Sequence, residues 1–321
     1  MSFVPGPVLF VGETLVDLIC ERPVSSWAQA DSFVPHCGGA PTNAAIVARR
    51  SGAQVAIGGG VGDDHWGRWL EARLEAEQID LRWWKRVPGL QTAVAFDVID
   101  THAVPDFLIY GEAIEPALEA FEPTLREAVD ACSALVLGSN TLIGARERSI
   151  SVRARELALT LGKPLIVDVN LRLTRWPDLE SATEAVRGLC RDALLVKASA
   201  QEALFITGES DPVKAATAIC SQLGAGICAV TLGPAGAIVA GEVSAKAAGV
   251  RAKVVDTTGA GDALTGVLVA ALAGAGFAPQ AVSSALSLAI EVAARSTESY
   301  GATEALPDKI DLQALISGTP G

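Results

Sequence analysis

The sequence lacks the features that mark nucleic-acid-binding and membrane proteins. It has no run of basic residues, and 37 acidic residues outnumber 25 basic ones, for a formal net charge of −12. Nucleic acids and anionic membranes are bound mainly through Lys and Arg, so we expect neither as a partner. The most apolar segment, residues 263–278, is shorter than the ~20 residues of a bilayer span and predicts a buried helix.

Signs of disulfide chemistry, metal binding through cysteine or histidine, and export are also absent. The six cysteines are dispersed, without a C-x-x-C pair or a Cys/His cluster, and predict buried thiols in a reducing compartment. His36, His65 and His102 show no metal-binding spacing. The N-terminal stretch MSFVPGPVLFVGETLVD has no basic n-region, which predicts no signal peptide and a cytoplasmic location.

Three common nucleotide and hydrolase motifs are missing. GGGVGDD, residues 58–64, does not satisfy G-x-G-x-x-G because Asp63 stands at the third glycine position. Gly162-Lys163 is followed by proline and lacks the upstream glycine of a P-loop. A G-x-S-x-G nucleophile elbow is not present. These absences disfavour a Rossmann dehydrogenase, a P-loop enzyme and an α/β-hydrolase.

Apolar runs of strand length alternate with helical patterns along the chain. The predicted buried strands are residues 8–12, 55–59, 134–138, 165–169, 193–197 and 227–233. The predicted helices between them include residues 42–51, 65–77, 146–161 and 212–223. This alternation predicts an α/β fold, a doubly wound and mostly parallel sheet within a single domain, residues 1–321.

Two segments, 14–35 and 92–112, interrupt this rhythm with β-like patterns. TAVAFDVID, residues 92–100, alternates apolar and polar positions, and no clear crossover helix follows either segment. We expect the two segments to form a small β lid over the carboxyl edge of the main sheet. An ordinary surface hairpin is the alternative. The exposed edge of such a lid also suggests a homodimer formed through it.

The stretch VVDTTGAGDALTG, residues 254–266, combines an anion-binding element with an acid. Gly259, Ala260 and Gly261 offer consecutive backbone N–H groups that can form an anion-binding nest. Asp262 follows directly and is suited to remove a proton from a hydroxyl group beside a bound phosphate. Phosphoryl transfer to an alcohol needs this combination. The alternative for Asp262 is a helix N-cap.

Several motifs together resemble the ribokinase-like (PfkB) carbohydrate kinase family. DTTGAGD, residues 256–262, resembles the second signature of that family, and HCGGAPTNAA, residues 36–45, resembles the first. Weaker matches are GGGVGDDHWG, VTLGPAG and VGETLVD, which stand at residues 58–67, 230–236 and 11–17. The matches follow the family's order over most of the chain.

The resemblance implies an ATP-dependent kinase that transfers the γ-phosphoryl group to a sugar hydroxymethyl group. It implies that Asp262 is the base and that Gly259, Ala260 and Gly261 form the anion hole. The residues implied to bind sugar are Asp17, Gly39, Asn43 and Arg172, and those implied to lie along ATP are Ser199, Thr231, Gly233, Gly236 and Gly261. For Asn43 a helix cap is the alternative, and for Arg172 a structural ion pair.

The resemblance also implies two cation sites. SAQE, residues 199–202, stands where the family has N-x-x-E, so Glu202 would hold Mg²⁺ through water, while Ser199 is shorter than the usual Asn. Asp256 and Thr258 match positions that hold an activating monovalent cation, which would be K⁺. For Asp256 a turn-forming acid is the alternative. SYGATEALP, residues 299–307, resembles the loop that closes this site.

The identity of the sugar depends on finer features. DVNLRLTRW, residues 168–176, resembles the fructokinase and 2-keto-3-deoxygluconate kinase branches, with Asn170 and Arg172 facing sugar or phosphate. Gly111 stands where these branches often have Arg, which favours a neutral sugar, and fructose first. A 2-keto-3-deoxygluconate kinase, a ribokinase or a nucleoside kinase remains an alternative. A non-catalytic sugar or nucleotide sensor is an alternative from another class.

Overall fold

The computed structural model describes residues 6–312, and its strands form two sheets. The strands in chain order are β1 Val8–Val11, β2 Leu15–Cys20, β3 Val34–Gly38, β4 Val55–Gly62, β5 Trp84–Val87, β6 Val94–Ile99, β7 Pro105–Tyr110, β8 Ala134–Gly138, β9 Leu165–Asp168, β10 Leu195–Ser199, β11 Ile227–Thr231, β12 Gly236–Gly241 and β13 Ala245–Ala248. The helices are α1 Ala40–Arg50, α2 His65–Ala76, α3 Ile114–Phe121, α4 Leu125–Ala131, α5 Ala145–Thr160, α6 Leu179–Cys190, α7 Ala200–Thr207, α8 Pro212–Leu223, α9 Ala260–Gly274 and α10 Gln280–Ser296.

The central sheet has nine strands in the order β13-β12-β11-β10-β9-β8-β1-β4-β5. The strands from β11 to β5 pair in parallel, whereas β12 and β13 extend the sheet as an antiparallel edge. All six strands predicted from apolar runs lie in the parallel part. The prediction of a doubly wound, mostly parallel α/β sheet is therefore confirmed.

Helices cover both faces of the central sheet. Alternate residues of β1 point to opposite faces, so that Val8 and Phe10 join one hydrophobic core while Leu9 and Val11 join the other. The first core includes α1, α2, α9 and α10, and the second includes α3 through α8. Because both faces are buried, the strands consist of nearly uninterrupted apolar residues.

The second sheet contains β2, β6 and β7 from the two predicted β-like segments, and β3, which extends three residues beyond the predicted segment 14–35. Its order is β3-β2-β6-β7, with β2 and β6 parallel and the outer strands antiparallel. Alternate side chains of β6 and β7 point to the same face of this sheet. Those of Ala95, Pro105 and Phe107 face the carboxyl edge of the central sheet. We call these four strands the lid sheet.

The thiols and the buried helix match the expectations from sequence. Five of the six cysteines are buried, Cys220 is partly buried, and all six are free. Burial raises the pKa of Cys37 to about 12, which suits a packing role. Residues 263–274 of the predicted buried helix belong to α9. Within residues 6–312, no helix combines the length and apolarity needed to cross a bilayer.

Helix α9 packs closely on α1, and Gly266 marks the contact. A Cβ atom at Gly266 would lie 2.6 Å from the Cβ of Val47 and 2.7 Å from the carbonyl oxygen of Ala44. The absence of a side chain therefore sets the distance between the two helices.

We expect Gly266→Ala to lower the free energy of unfolding by about 1–3 kcal/mol, because the added methyl group overpacks the contact between α1 and α9. Denaturant unfolding measures the change. Gly274→Ala on the same helix is the control, since a Cβ atom there meets open space and alanine favours the helix. Unchanged or increased stability of Gly266→Ala would contradict the close packing.

Candidate active site

A cavity of about 340 Å³ lies between the carboxyl edge of the central sheet and the inner face of the lid sheet. It contains twelve of the predicted site residues: Asp17, Gly39, Asn43, Asn170, Arg172, Ser199, Glu202, Thr231, Thr258, Gly259, Gly261 and Asp262. These residues come from strand ends, helix starts and the lid sheet, so tertiary structure brings them together. Open α/β sheets bind ligands at this edge.

The floor of the cavity lies at the point where the strand order reverses between β1 and β8. Glu13 follows β1 and Asn140 follows β8, and the Asn140 side-chain amide donates a hydrogen bond of 2.9 Å to the Glu13 carboxyl. Burial raises the pKa of Glu13. The side-chain carbonyl oxygen of Asn140, Oδ1, is buried without a hydrogen-bond partner among the described residues.

The start of α9 provides backbone donors that face the cavity. Gly259 is the N-cap, with φ of 75°, and a side chain there would collide with Ala302. Ala260 N–H donates to the Thr257 carbonyl oxygen at 3.4 Å. Among residues 6–312, the N–H groups of Gly261 and Asp262 have no acceptor. Free N–H groups in the first turn of a helix attract anions.

A lysine that was not predicted as a site residue stands beside these donors. Lys197 lies in β10, and its ammonium group donates 3.0 Å to Asp168 Oδ1, while Thr265 donates 2.6 Å to Asp168 Oδ2. A Cβ atom on Gly261 would lie 2.5 Å from the Lys197 nitrogen. The carboxylates of Asp168, Glu202 and Asp262 outweigh burial and raise the pKa of Lys197, which therefore stays cationic.

Asp262 is buried in the first turn of α9, two positions beyond the first helical residue, and does not cap the helix. Its Oδ2 accepts a hydrogen bond of 3.0 Å from the Asn43 side-chain amide. Asn43 likewise lies inside α1, whose N-cap is Gly39. Burial first, and then the charge of Asp168, raise the pKa of Asp262 to about 6.

The lid sheet contributes two further carboxyl groups. Asp17 lies on β2 and Asp97 on β6, and both are buried and line the cavity. Burial and the nearby acids raise the pKa of Asp17 well above its ordinary value. Asp97 was not predicted as a site residue, although an acid inside the apolar run AVAFDVI was a usable signal.

Arg172 lies between the lid sheet and the floor of the cavity. Its guanidinium group stands 5.6 Å from the centre of the Phe107 ring on β7. Its positive charge offsets part of the effect of burial, which raises the pKa values of Glu13, Asp97 and Asp262. Arg172 forms no salt bridge with a residue in the described part of the chain. Arg172 therefore does not serve as the structural ion pair that was the alternative reading.

Glu202 and Ser199 form a capping box at the start of α7. The Ser199 hydroxyl accepts from Glu202 N–H at 3.2 Å, and Glu202 Oε2 accepts from Ser199 N–H at 2.6 Å. Glu202 Oε1 accepts from Leu171 N–H at 2.7 Å. Both carboxyl oxygens of Glu202 are thus held by backbone donors while the residue lines the cavity.

Asp256 and Thr258 lie in the turn before α9. Asp256 is fully buried, and its carboxyl oxygens accept from Thr258 N–H at 2.8 Å and from Gly301 N–H at 3.1 Å. The Thr258 hydroxyl is buried without a partner among the described residues. Residues 6–312 contain no cluster of three His, Cys, Asp or Glu side chains that could hold a metal ion.

Four predicted site residues do not line the cavity. Ala260 and Asp256 lie just behind it, and Gly233 is exposed in the short turn after β11. Gly236 is buried where β12 begins, with φ of 104°, and a side chain there would collide with the Ala247 carbonyl oxygen. The sheet edge itself therefore requires glycine at position 236, so its presence in the motif is not evidence of nucleotide contact.

The sequence pattern described as pfkB family carbohydrate kinase matches residues 7–309. The chain is 30% identical over 318 residues to "Probable fructokinase-4" of Arabidopsis thaliana, and the match covers 97% of each chain. It is 33% identical over 267 residues to "Fructokinase-1" of Oryza sativa subsp. japonica, and this match covers 82% of this chain and 81% of the relative.

The fold also resembles solved structures from the same group of proteins. Fructokinase from Vibrio cholerae O395, solved in a form with fructose, ADP and calcium ion bound, superimposes with a TM-score of 0.78 and 26% identity. The match covers 97% of this chain and 98% of that one.

We expect the side chain of Asp262 to titrate with a midpoint near 6 in carbon-detected NMR of the carboxyl groups. The hydrogen bond from Asn43 stabilises the ionised form of Asp262, so Asn43→Ala, which removes this bond, should raise the midpoint. Asn140→Ala is the control, since Asn140 bonds to Glu13 instead. A midpoint near 4, or no response to Asn43→Ala, would contradict this geometry.

Proposed function

The chain belongs to the pfkB family of carbohydrate kinases, and we propose that it transfers the γ-phosphoryl group of ATP to a hydroxymethyl group of fructose. The observation that carries this proposal is the start of α9, where a buried carboxyl group and unpaired backbone N–H groups face one cavity. The fructokinase relatives support fructose as the acceptor.

Asp262 acts as the base in this proposal. Its carboxylate takes the proton of the acceptor hydroxyl as that oxygen bonds to the γ-phosphorus, and the bond from the phosphorus to the bridging oxygen of ADP breaks. A pKa of about 6 leaves Asp262 ionised at neutral pH and basic enough to share the proton in the transition state. The Asn43 amide orients the carboxylate toward the cavity.

The migrating phosphoryl group is stabilised by the start of α9. Gly261 and Asp262 offer free N–H groups, and Gly259 and Ala260 set the turn that presents them. The positive end of the helix dipole and the charge of Lys197 add to this stabilisation. Asp168 fixes the position of the Lys197 ammonium group.

The acceptor sugar lies between the lid sheet and the start of α1. Asp17, Gly39, Asn43 and Arg172 line this part of the cavity and bind its hydroxyl groups. The lid sheet, from segments 14–35 and 92–112, closes over the sugar within a single domain. Gly111 provides no cation at the lid position where the fructokinase and 2-keto-3-deoxygluconate kinase branches often have Arg, which agrees with a neutral acceptor.

ATP lies along the carboxyl ends of β10 and β11, beside Ser199 and Thr231, and reaches toward Gly233 in the exposed turn after β11. Mg²⁺, when bound, would neutralise charge on the phosphates. Glu202 fits a water-mediated contact to that ion, because backbone N–H groups already occupy both of its carboxyl oxygens. Ser199 is occupied in the capping box, so it contributes to ATP binding only at the edge of the site.

A monovalent cation such as K⁺ fits beside Asp256 and Thr258. Asp256 is a fully buried acid, and the Thr258 hydroxyl is a buried oxygen without a partner among the described residues. Such an ion prefers oxygen ligands, and backbone carbonyl groups would complete its shell. It would neutralise Asp256, which lies directly before the anion-binding turn.

We also propose that two copies pair through the outer face of the lid sheet. This face exposes Leu108 and Tyr110 by 49% and 58%. Phe33, Phe96 and Tyr110 make edge-to-face contacts on the same face. A second copy of the lid sheet would cover these side chains. The free and mostly buried thiols support a reducing, cytoplasmic location.

We expect Asp262→Asn to lower kcat about 10³-fold, because the amide cannot accept the proton, while fructose affinity changes little. A coupled assay of ADP release measures kcat, and calorimetry measures sugar binding. Asp130→Asn, an exposed residue of α4, is the matched control. For the wild type at saturating fructose, kcat should rise with pH through about 6, since the ionised carboxyl group of Asp262 is the active form.

Two outcomes would contradict the assignment. Turnover of Asp262→Asn within tenfold of the wild type would exclude it as the base. A wild-type protein that releases no ADP with fructose, ribose, 2-keto-3-deoxygluconate or adenosine would favour a sensor over an enzyme.

We expect the wild type to sediment as a dimer and Leu108→Glu to sediment as a monomer, because the buried acid would oppose association of the two lid sheets. Analytical ultracentrifugation measures both masses. Val213→Glu changes an equally exposed apolar residue on α8, away from the lid sheet, and should leave the dimer intact. A wild type that stays monomeric at high concentration would remove this proposal.

A further inference from the structure

Asp97 is a buried acid that none of the roles above uses. The residue is 4% exposed, and its Oδ1 atom has no hydrogen-bond partner among the described residues. It lies on the inner face of β6 and lines the same cavity as Asp262. A buried carboxyl oxygen without a donor is costly, so a purely structural position would be better filled by an apolar residue.

The protein's own cations do not satisfy Asp97. The charges of His36 and Arg172 act on it, and neither residue forms a hydrogen bond with it. His36 is held between Glu21 and Glu304, each at 3.0 Å, and the Arg172 guanidinium group stands over the Phe107 ring. The carboxyl group is therefore left for a donor that enters the cavity.

A second acid, on the neighbouring strand, also favours a ligand that donates hydrogen bonds to this face. Asp17 pairs in register with Ala95, two residues before Asp97, so both acids lie diagonally on one face of the lid sheet. Burial first, and then the charge of Asp256, raise the pKa of Asp97 to about 7. Burial first, and then the charge of Asp97, raise the pKa of Asp17. Hydroxyl or amino groups of a ligand would donate hydrogen bonds to the buried carboxyl groups and reduce their repulsion, whereas a ligand carboxylate would increase that repulsion.

We propose that Asp97 is a specificity-determining residue of the acceptor site, which selects acceptors that present hydrogen-bond donors to the lid sheet and rejects acceptors that present a carboxylate there. The inference rests on the proposed sugar kinase activity and refines its substrate class. Asp262 contacts the hydroxymethyl group that reacts, and Asp97 contacts the remainder of the acceptor. Neutral polyhydroxy sugars therefore bind, and sugar acids are excluded.

Asp97→Asn tests this selection with little change of shape. We expect KM for fructose to rise about tenfold, because a charge-assisted hydrogen bond is lost. KM for 2-keto-3-deoxygluconate, which carries a carboxylate at the end opposite its hydroxymethyl group, should fall about tenfold as the repulsion disappears. We expect kcat for fructose to stay within about threefold, since Asp262 and the start of α9 are unchanged.

The control is Glu112→Gln, which removes an exposed acid next to the lid strand β7 and should shift neither KM. Thermal unfolding of Asp97→Asn and Asp97→Val establishes that both fold, and calorimetry of fructose binding reports affinity independently of turnover. If Asp97→Asn is active and its KM values for the two acceptors change equally or not at all, the role of Asp97 is wrong while the proposed function still stands. A folded wild type that releases no ADP from either acceptor would overturn the proposed function instead.

Discussion

A hydrogen bond of 3.0 Å joins Asn43 and Asp262, which are 219 positions apart in the chain. It connects the first turns of α1 and α9, two helices on the same face of the central sheet. The bond holds a carboxyl group beside N–H groups that attract anions. An acid at this place would otherwise be expected to turn toward those donors and cap its own helix. The donor from α1 keeps Asp262 directed into the cavity.

This arrangement depends on close contact between the two helices. Gly266 lets α9 approach α1 until no room is left for a methyl group, and this contact sets where Asn43 can reach. Lys197 and Thr265 both hold Asp168, which connects β9, β10 and α9 on the other side of the site. The geometry of the reacting groups is thus a consequence of packing in the core beneath them.

The cavity separates charge along its length. Lys197 and the start of α9 make one end suited to phosphate, whereas Asp17 and Asp97 on the lid sheet make the other end strongly acidic. Each end stabilises groups that the other end would repel. In the proposed reaction, this separation orients ATP and the acceptor in opposite directions with Asp262 between them.

Local sequence by itself determined six of the nine central strands, the α/β class and the motif around Asp262, because apolar periods and glycine patterns act over a few residues. It did not predict β5 at one edge of the central sheet, or β12 and β13 at the other edge. Lys197 looks like an ordinary strand residue in the sequence, and the position of Asp97 within an apolar run does not show which residues it faces. Only the tertiary structure decided that they share one cavity, and that Gly236 supports the sheet edge, because each depends on contacts between segments far apart in the chain.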